Sequence, residues 1–204
     1  MNSSEDNQLM LQIRSGDVDK LSILFDRHHV PLYNFFLRMT GIKEISEDMV
    51  QDVFLRMLKY RHTYRGDGKF SNWMFHIARN VQFDYFKKKQ REDYQNSDKL
   101  ELISDNPTPG EAAEQRQNSE LIHSALMKLA VEKREVLVLS RFQSKKYEEI
   151  AEILGCKVGT IKARVHRAIK DLRDIYFELS GEDCNLNFKV KQVNKYEKLQ
   201  TNNQ

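Results

Sequence analysis

Apolar residues recur at helical spacing along most of this chain. The first series runs through Leu9 and Ile13, then Leu21, Leu24 and Phe25, then Leu32, Phe35, Phe36 and Met39, and stops at Thr40-Gly41. A second begins where Ser46 is expected to cap a helix opened by Glu47 and Asp48, whose charges suit an N-terminal dipole, and continues through Met49, Val50, Val53, Phe54, Met57 and Leu58. Arg65-Gly66-Asp67-Gly68 reads as a loop. Trp73, Ile77, Val81 and Tyr85 then space out along another helix that fades into Lys87-Lys88-Lys89. Between Glu92 and Asn118 the periodicity is lost among mixed charges, Pro107, Pro109 and Gly110. It resumes with Leu121, Ile122, Ala125, Leu126 and Leu129, then Val136, Leu137 and Leu139, then Ile150, Ala151, Ile153 and Leu154, and finally Ile161, Val165, Ile169 and Leu172.

The pattern predicts an all-α protein of two small helical domains joined by a flexible linker, the second a helix-turn-helix domain. The expected divisions are a first module over residues 5–92, a linker over 93–117, a second module over 118–178 and a tail over 179–204. The tail is rich in Asn and Lys with little to bury, and is expected to be disordered. Composition agrees: three prolines and eight glycines in 204 residues favour helices over turn-rich sheet.

Charge narrows the chemistry only locally. With 33 basic against 30 acidic residues the net charge is +3, so affinity for a polyanion must come from clustering. No apolar run approaches the roughly 20 residues that span a bilayer, and MNSSEDNQLM lacks the layout of a signal peptide, so a cytoplasmic location without membrane insertion is expected. Cys156 and Cys184 are far apart and show no zinc-ligand spacing. No metal, cofactor or disulfide is expected. Cys156 reads as a small residue of a turn rather than a redox switch.

The cluster that matters follows Tyr147. In YEEIAEILG a short amphipathic helix presents Ile150, Ala151 and Leu154 inward and ends at Gly155, a residue suited to the left-handed conformation. The next helix, from about Val158, would bury Ile161, Val165 and Ile169 against it. Six Lys or Arg residues and one acid, Asp171, lie between Lys157 and Arg173. A basic helix of this width fits the major groove, with Thr160, Lys162, Ala163, His166 and Arg167 toward DNA. Lys157 stands where a Ser-type cap would ordinarily satisfy the first helical amides.

Two features of the first module carry further meaning. Asp48, Gln51 and Asp52 fall at i, i+3 and i+4, an acidic polar stripe suited to docking a protein. From Tyr60 to Lys89, aromatic residues including Tyr64, Phe70, Trp73, Tyr85 and Phe86 alternate with Arg61, Arg65, Lys69, Arg79 and the lysine run. Rings and guanidinium planes stack on unpaired bases while lysines follow the backbone, which is the chemistry of single-strand capture. Trp73 and Ile77 fit a core better than a contact.

Taken together, SEDMVQDVFLRML, GKFSNWMFHIARNVQFDYFKKK and YEEIAEILGCKVGTIKARVHRAIKDLR resemble the polymerase-docking helix, promoter-melting segment and upstream-element reader of bacterial RNA polymerase sigma factors of the extracytoplasmic-function group. The resemblance covers about residues 6–176. It implies that Asp48, Gln51 and Asp52 bind core RNA polymerase. It implies that Tyr64 and the Arg65-to-Lys69 loop form the pocket for a flipped base of the single-stranded −10 element, with Asn80 a nearby base-reading position. It implies that Thr160, Lys162, Ala163, Arg164, His166 and Arg167 meet the double-stranded −35 element. Ala163 stands where the family often has Ser, which removes a hydrogen bond and alters the promoter sequence expected. A further implied partner is an anti-sigma factor, often membrane-bound. No catalytic residue is implied.

Two other functions fit some of the residues. A stand-alone helix-turn-helix repressor or activator explains the second module but leaves the acidic stripe and the aromatic, basic segment without purpose. A nucleic-acid enzyme, recombinase or nuclease, needs a two-metal Asp/Glu/His group or a supported Ser or Tyr nucleophile, and no such constellation stands out.

Overall fold

In a computed structural model the chain is described over residues 3–93 and 112–181. Eight helices follow in order: α1 (Ser3–Arg14), α2 (Leu21–Thr40), α3 (Lys43–Lys59), α4 (Phe70–Asp93), α5 (Ala112–Lys128), α6 (Val131–Leu137), α7 (Tyr147–Leu154) and α8 (Val158–Ser180). Short 3₁₀ turns at Val18–Lys20 and Arg61–Thr63 join α1 to α2 and α3 to the loop before α4. Among the described residues there is no strand.

The apolar periodicity becomes the core directly. Met10 and Ile13 of α1, Leu24, Leu32, Phe35, Phe36 and Met39 of α2, Met49, Val53 and Met57 of α3, and Phe70, Met74 and Ala78 of α4 are buried. Phe35 sets its ring edge-on against Phe36 and Phe75, with centroids 5.3 and 5.5 Å apart, a geometry favoured by the ring quadrupole. In the second half, Leu126 of α5 and Leu129 just after it, Val136 and Leu137 of α6, Ile150 and Ile153 of α7, and Ile161, Val165 and Ala168 of α8 do the same.

The break at Thr40-Gly41 falls where the pattern placed it. Gly41 takes φ +75°, and its amide donates to Leu37 O at 2.9 Å, the left-handed ending that only glycine adopts without steric cost. The start of the next helix does not. Ser46 lies inside α3, fully buried, and its hydroxyl donates back to Ile42 O at 2.6 Å. The true N-cap residue is Ile42, and its N–H is met by Thr40 Oγ1 at 3.2 Å. A serine that bonds the carbonyl four residues earlier is compatible with a helix interior, so a capping residue type did not mark the boundary.

The second module also begins earlier than the pattern suggested. α5 starts at Ala112, inside the stretch read as linker. AAEQRQ is made of good helix formers but carries no apolar stripe, so propensity made a helix that periodicity could not reveal. Residues 94–111 and the tail after Gly181 lie outside the described residues, and with them most of the expected linker and nearly all of the expected tail.

The two modules pack on one another, and their buried apolar residues form one continuous cluster. Arg134 of α6 is the chief cross-tie. Its guanidinium donates to Met39 O in the first module at 2.6 Å, and to Leu129 O (3.1 Å) and Met127 O in its own. Burial pushes its pKa down to about 10. After α6 the chain widens into a π turn at Val138–Phe142. Gln143 follows and donates through Nε2 to Pro31 O at 3.0 Å, and Arg38 lies 4.3 Å over the Phe142 ring.

Candidate nucleic-acid interface

The helix-turn-helix is built as its sequence requires. α7 buries Ile150, Ala151, Ile153 and Leu154, Gly155 turns the chain at φ +64°, and α8 returns with Ile161 and Val165 buried against it. Lys157 occupies the N-cap of α8 in an extended conformation with no side-chain cap, as its identity predicts. Thr160, Lys162, Ala163, His166 and Arg167 are all exposed on the first half of α8. Arg167 donates through Nε to Ala163 O at 3.2 Å, which leaves its remaining N–H groups outward. Arg164 differs from its neighbours. It is half-buried and its charge reaches Glu135, whose carboxyl burial pushes upward while Arg79 and Arg164 pull it back.

In the first module, Asp48 and Gln51 are exposed on α3, whereas Asp52 is half-buried and held by Arg56 at 3.0 Å. Arg56 also binds Asp84 of α4 at 2.7 Å, so Asp52 belongs to a network joining two helices. Asn80 is exposed on α4.

The loop between Tyr64 and Phe70 has an outer face and a floor. Arg65 and Lys69 are exposed. Tyr64 is not: its ring is 3% exposed, packed edge-on to Trp73 at 5.0 Å, and its hydroxyl donates to Asn7 Oδ1 at 2.8 Å. Burial, with Asp67 and Asp6 nearby, pushes that hydroxyl up to about 12. Tyr64, which the resemblance placed in the base pocket, is thus buried beneath the loop. Trp73, half-buried, and Ile77, buried, join the core as their spacing suggested.

Several residues of this region went unnoticed in the sequence. Asn72, 3% exposed, donates through Nδ2 to Glu152 Oε2 of α7 at 2.8 Å. Lys69 meets Glu149 Oε1 at 2.8 Å. Burial would raise the Glu149 carboxyl, but the bonds from Lys69 and from the Lys146 N–H (2.8 Å) outweigh it and hold the group below its ordinary value. Lys145 donates to Ser71 Oγ at 2.6 Å and lies 5.2 Å over Phe75; burial lowers its pKa. One face of α7 therefore lies on the loop and the start of α4. Apart from Lys146 and Glu149, three residues apart, these hydrogen-bond partners lie 73 to 80 residues from their mates, so no spacing could announce them.

An exposed cationic recognition helix and an aromatic, cationic module within one all-α chain define a two-module DNA-reading protein. Known proteins narrow this class. Residues 24–92 match the family described as Sigma-70 region 2, and residues 119–172 match Sigma-70, region 4. The ECF RNA polymerase sigma factor SigX of Bacillus subtilis (strain 168) is 31% identical over 170 residues, covering 81% of this chain and 87% of its own. The RNA polymerase sigma factor CarQ of Myxococcus xanthus is 30% identical over 176 residues, covering 85% and 98%. Among solved structures, CnrH in complex with the cytosolic domain of CnrY aligns with a TM-score of 0.64 at 26% identity, over 87% of this chain and 99% of that one. The sigma factor RpoE of Bartonella quintana, in complex with the anti-sigma factor NepR, gives the same TM-score and identity over 76% and 94%. The chain belongs to the ECF RNA polymerase sigma factors, the promoter-recognising proteins of bacterial transcription initiation.

Proposed function

We propose how this chain divides promoter recognition among its residues. Thr160, Lys162, Ala163, His166 and Arg167 face the −35 duplex, the early positions meeting base edges and the cations meeting phosphates, with Arg164 at the margin of this face. Arg65, Lys69 and the backbone between them receive an unpaired base of the −10 element, with Tyr64 as the floor and Asn80 farther along α4. Asp48, Gln51 and Asp52 dock on core polymerase. The first domain is assigned to residues 5–92 and the second, with the start of α5 included, to residues 112–178.

The reaction is physical, not covalent: unstacking a base costs a few kcal/mol, and a preformed pocket that holds the open strand shifts the duplex toward melting. The chain is then no enzyme and needs no cofactor. Among the described residues no group of three or more His, Cys, Asp or Glu side chains is placed to hold a metal ion, and no helix is long and apolar enough to cross a membrane. A cytoplasmic site of action fits. Because the two solved structures named above are complexes with a second protein, one named an anti-sigma factor, we assign an anti-sigma partner to this chain as well.

The observation that carries this reading is the exposed cationic face of α8 in the same chain as the Arg65-to-Lys69 loop. Run-off transcription with core polymerase on genomic fragments tests it. Discrete, chain-dependent transcripts are expected, lost on charge reversal of Asp48 and Asp52. Activity indifferent to that reversal removes the assigned polymerase contact.

A further inference from the structure

α1 lies outside the part of the chain matched as Sigma-70 region 2, which begins at residue 24. It nevertheless carries two stripes with different tasks. Asp6, Met10 and Ile13 turn inward: Met10 and Ile13 are fully buried, and Asp6 accepts from Arg27 (2.9 Å) and pairs with His28 (2.9 Å) on α2. Asn7, Leu11 and Arg14, at i, i+4 and i+7, form the neighbouring stripe, and every member of it touches the loop before α4.

The contacts are specific. Asn7 Oδ1 accepts from the Tyr64 hydroxyl at 2.8 Å and from the Phe70 N–H at 2.8 Å, and Asn7 Nδ2 donates to Gly68 O at 2.9 Å. One amide therefore bonds the beginning, the middle and the end of the loop. Arg14 Nη1 donates to Tyr64 O at 2.9 Å. Leu11 closes the gap between them: a Cβ on Gly66 would stand 3.2 Å from its Cδ atoms, and Gly66 is at φ +77°. A side-chain amide supplies acceptor and donor from one planar group; Asp at position 7 would lose the donor, and Leu would lose both.

We propose that the Asn7, Leu11 and Arg14 stripe of α1 is the positioning element of the −10 loop, with Asn7 as its central pin, so that α1 sets which base the loop accepts without touching DNA. This rests on the reading that residues 65–69 receive the unpaired base. The physical ground is the composition of the loop itself. Two glycines in five residues leave it many conformations, and a pocket must be ordered before the base arrives if binding is to discriminate.

The test uses holoenzyme made from the full chain and core polymerase. It is exposed to a pool of single-stranded DNA randomised over a central segment, and separately to a randomised duplex pool, and the bound fractions are sequenced. Wild type is expected to enrich particular bases in both pools. Asn7→Ala is expected to flatten single-strand base preference, by about fivefold for each bond whose loss frees the loop, while duplex preference and polymerase affinity stay at wild-type values. Unchanged single-strand preference overturns the proposal, and so does a uniform loss of binding to all sequences or a parallel loss in the duplex pool. Should Asn7→Ala fail to assemble, Asn7→Asp, which keeps the two acceptor contacts, and Tyr64→Phe, which removes one bond, are expected to flatten preference partially; wild-type preference in both overturns it. The combined Arg65→Ala, Lys69→Ala variant separates the two layers. If it leaves base preference intact, the loop reading has failed. If it flattens preference and Asn7→Ala does not, only the role of α1 has failed.

Discussion

Single residues hold this fold at points where no neighbour in sequence could help them. Gly66 is one: at φ +77° a Cβ is strained and would press on Leu11. Gly66→Ala is expected to cost about 1–2 kcal/mol, read as a lowered urea midpoint with unchanged slope. Arg134 is another, because its guanidinium serves three backbone carbonyls from both modules. Arg134→Met leaves those acceptors buried and unpaired, and a loss of about 3 kcal/mol is expected in the same assay. Lysine should not rescue it, since a single ammonium cannot reproduce the planar fork. His28 introduces pH. Burial lowers its pKa, opposed by Asp6 and reinforced by Lys145 and Arg27. The unfolded chain therefore binds a proton, at a pKa of about 6.5, that the folded chain resists. Stability from this group is full above about 6.5 and declines as pH falls toward the folded value. Urea midpoints measured downward from neutral pH should fall in that window, and less steeply in His28→Gln. An equal slope in both proteins would assign the pH dependence elsewhere.

At the scale of elements, α8 shows two kinds of side chain on one face, and they should fail differently. Lys162, exposed and flexible, is suited to a phosphate. Lys162→Ala is expected to weaken duplex binding similarly for all sequences and to reduce the dependence of log K on log salt by about 0.9. His166, with a short rigid ring, is suited to a base edge, and His166→Ala is expected to change base preference with little change in salt slope. Binding titrations across a salt series on several duplexes check both. α7 and α8 were legible from apolar spacing, a glycine stop and charge, because all three signals are local. α3 was legible as a helix but not in its boundary, since Ile42 takes the N-cap position without a side-chain cap and Thr40 accepts from its N–H. The onset of α5 was hidden because a polar helix leaves no periodic trace.

In the whole molecule, the apolar cluster the modules share is bordered by polar pairs between them: Lys69 with Glu149, Asn72 with Glu152, Lys145 with Ser71, and Arg79 with Glu135 at 3.3 Å. This arrangement sets α7 against the same loop to which −10 recognition is assigned, so Lys69 cannot serve Glu149 and a DNA strand together. Polar contacts between domains are reversible ones, and a partly exposed ion pair contributes little. This polar border is therefore expected to loosen when its pairs are removed or screened. Glu149→Lys with Glu152→Gln should expand the protein in small-angle scattering, and raising salt to about 0.5 M, where screening acts over roughly 4 Å, should do so in wild type. A radius of gyration unmoved by either would show that apolar contacts such as those around Arg38, Phe142, Gly41 and Met127 hold the modules closed.

The sequence by itself determined the helical class, the two modules, the recognition helix with its exposed cations, and the family. Each follows from signals carried within a few turns of one helix or one motif. Only the tertiary structure decided that Tyr64 is buried, that Asn7 bonds to a loop some sixty residues away in the chain, and that Glu149 of α7 pairs with Lys69 of that loop. A side chain's hydrogen-bond partner across the fold has no periodicity to read. Folding chooses it, by burying the apolar stripes first and requiring every polar group carried in with them to find a mate.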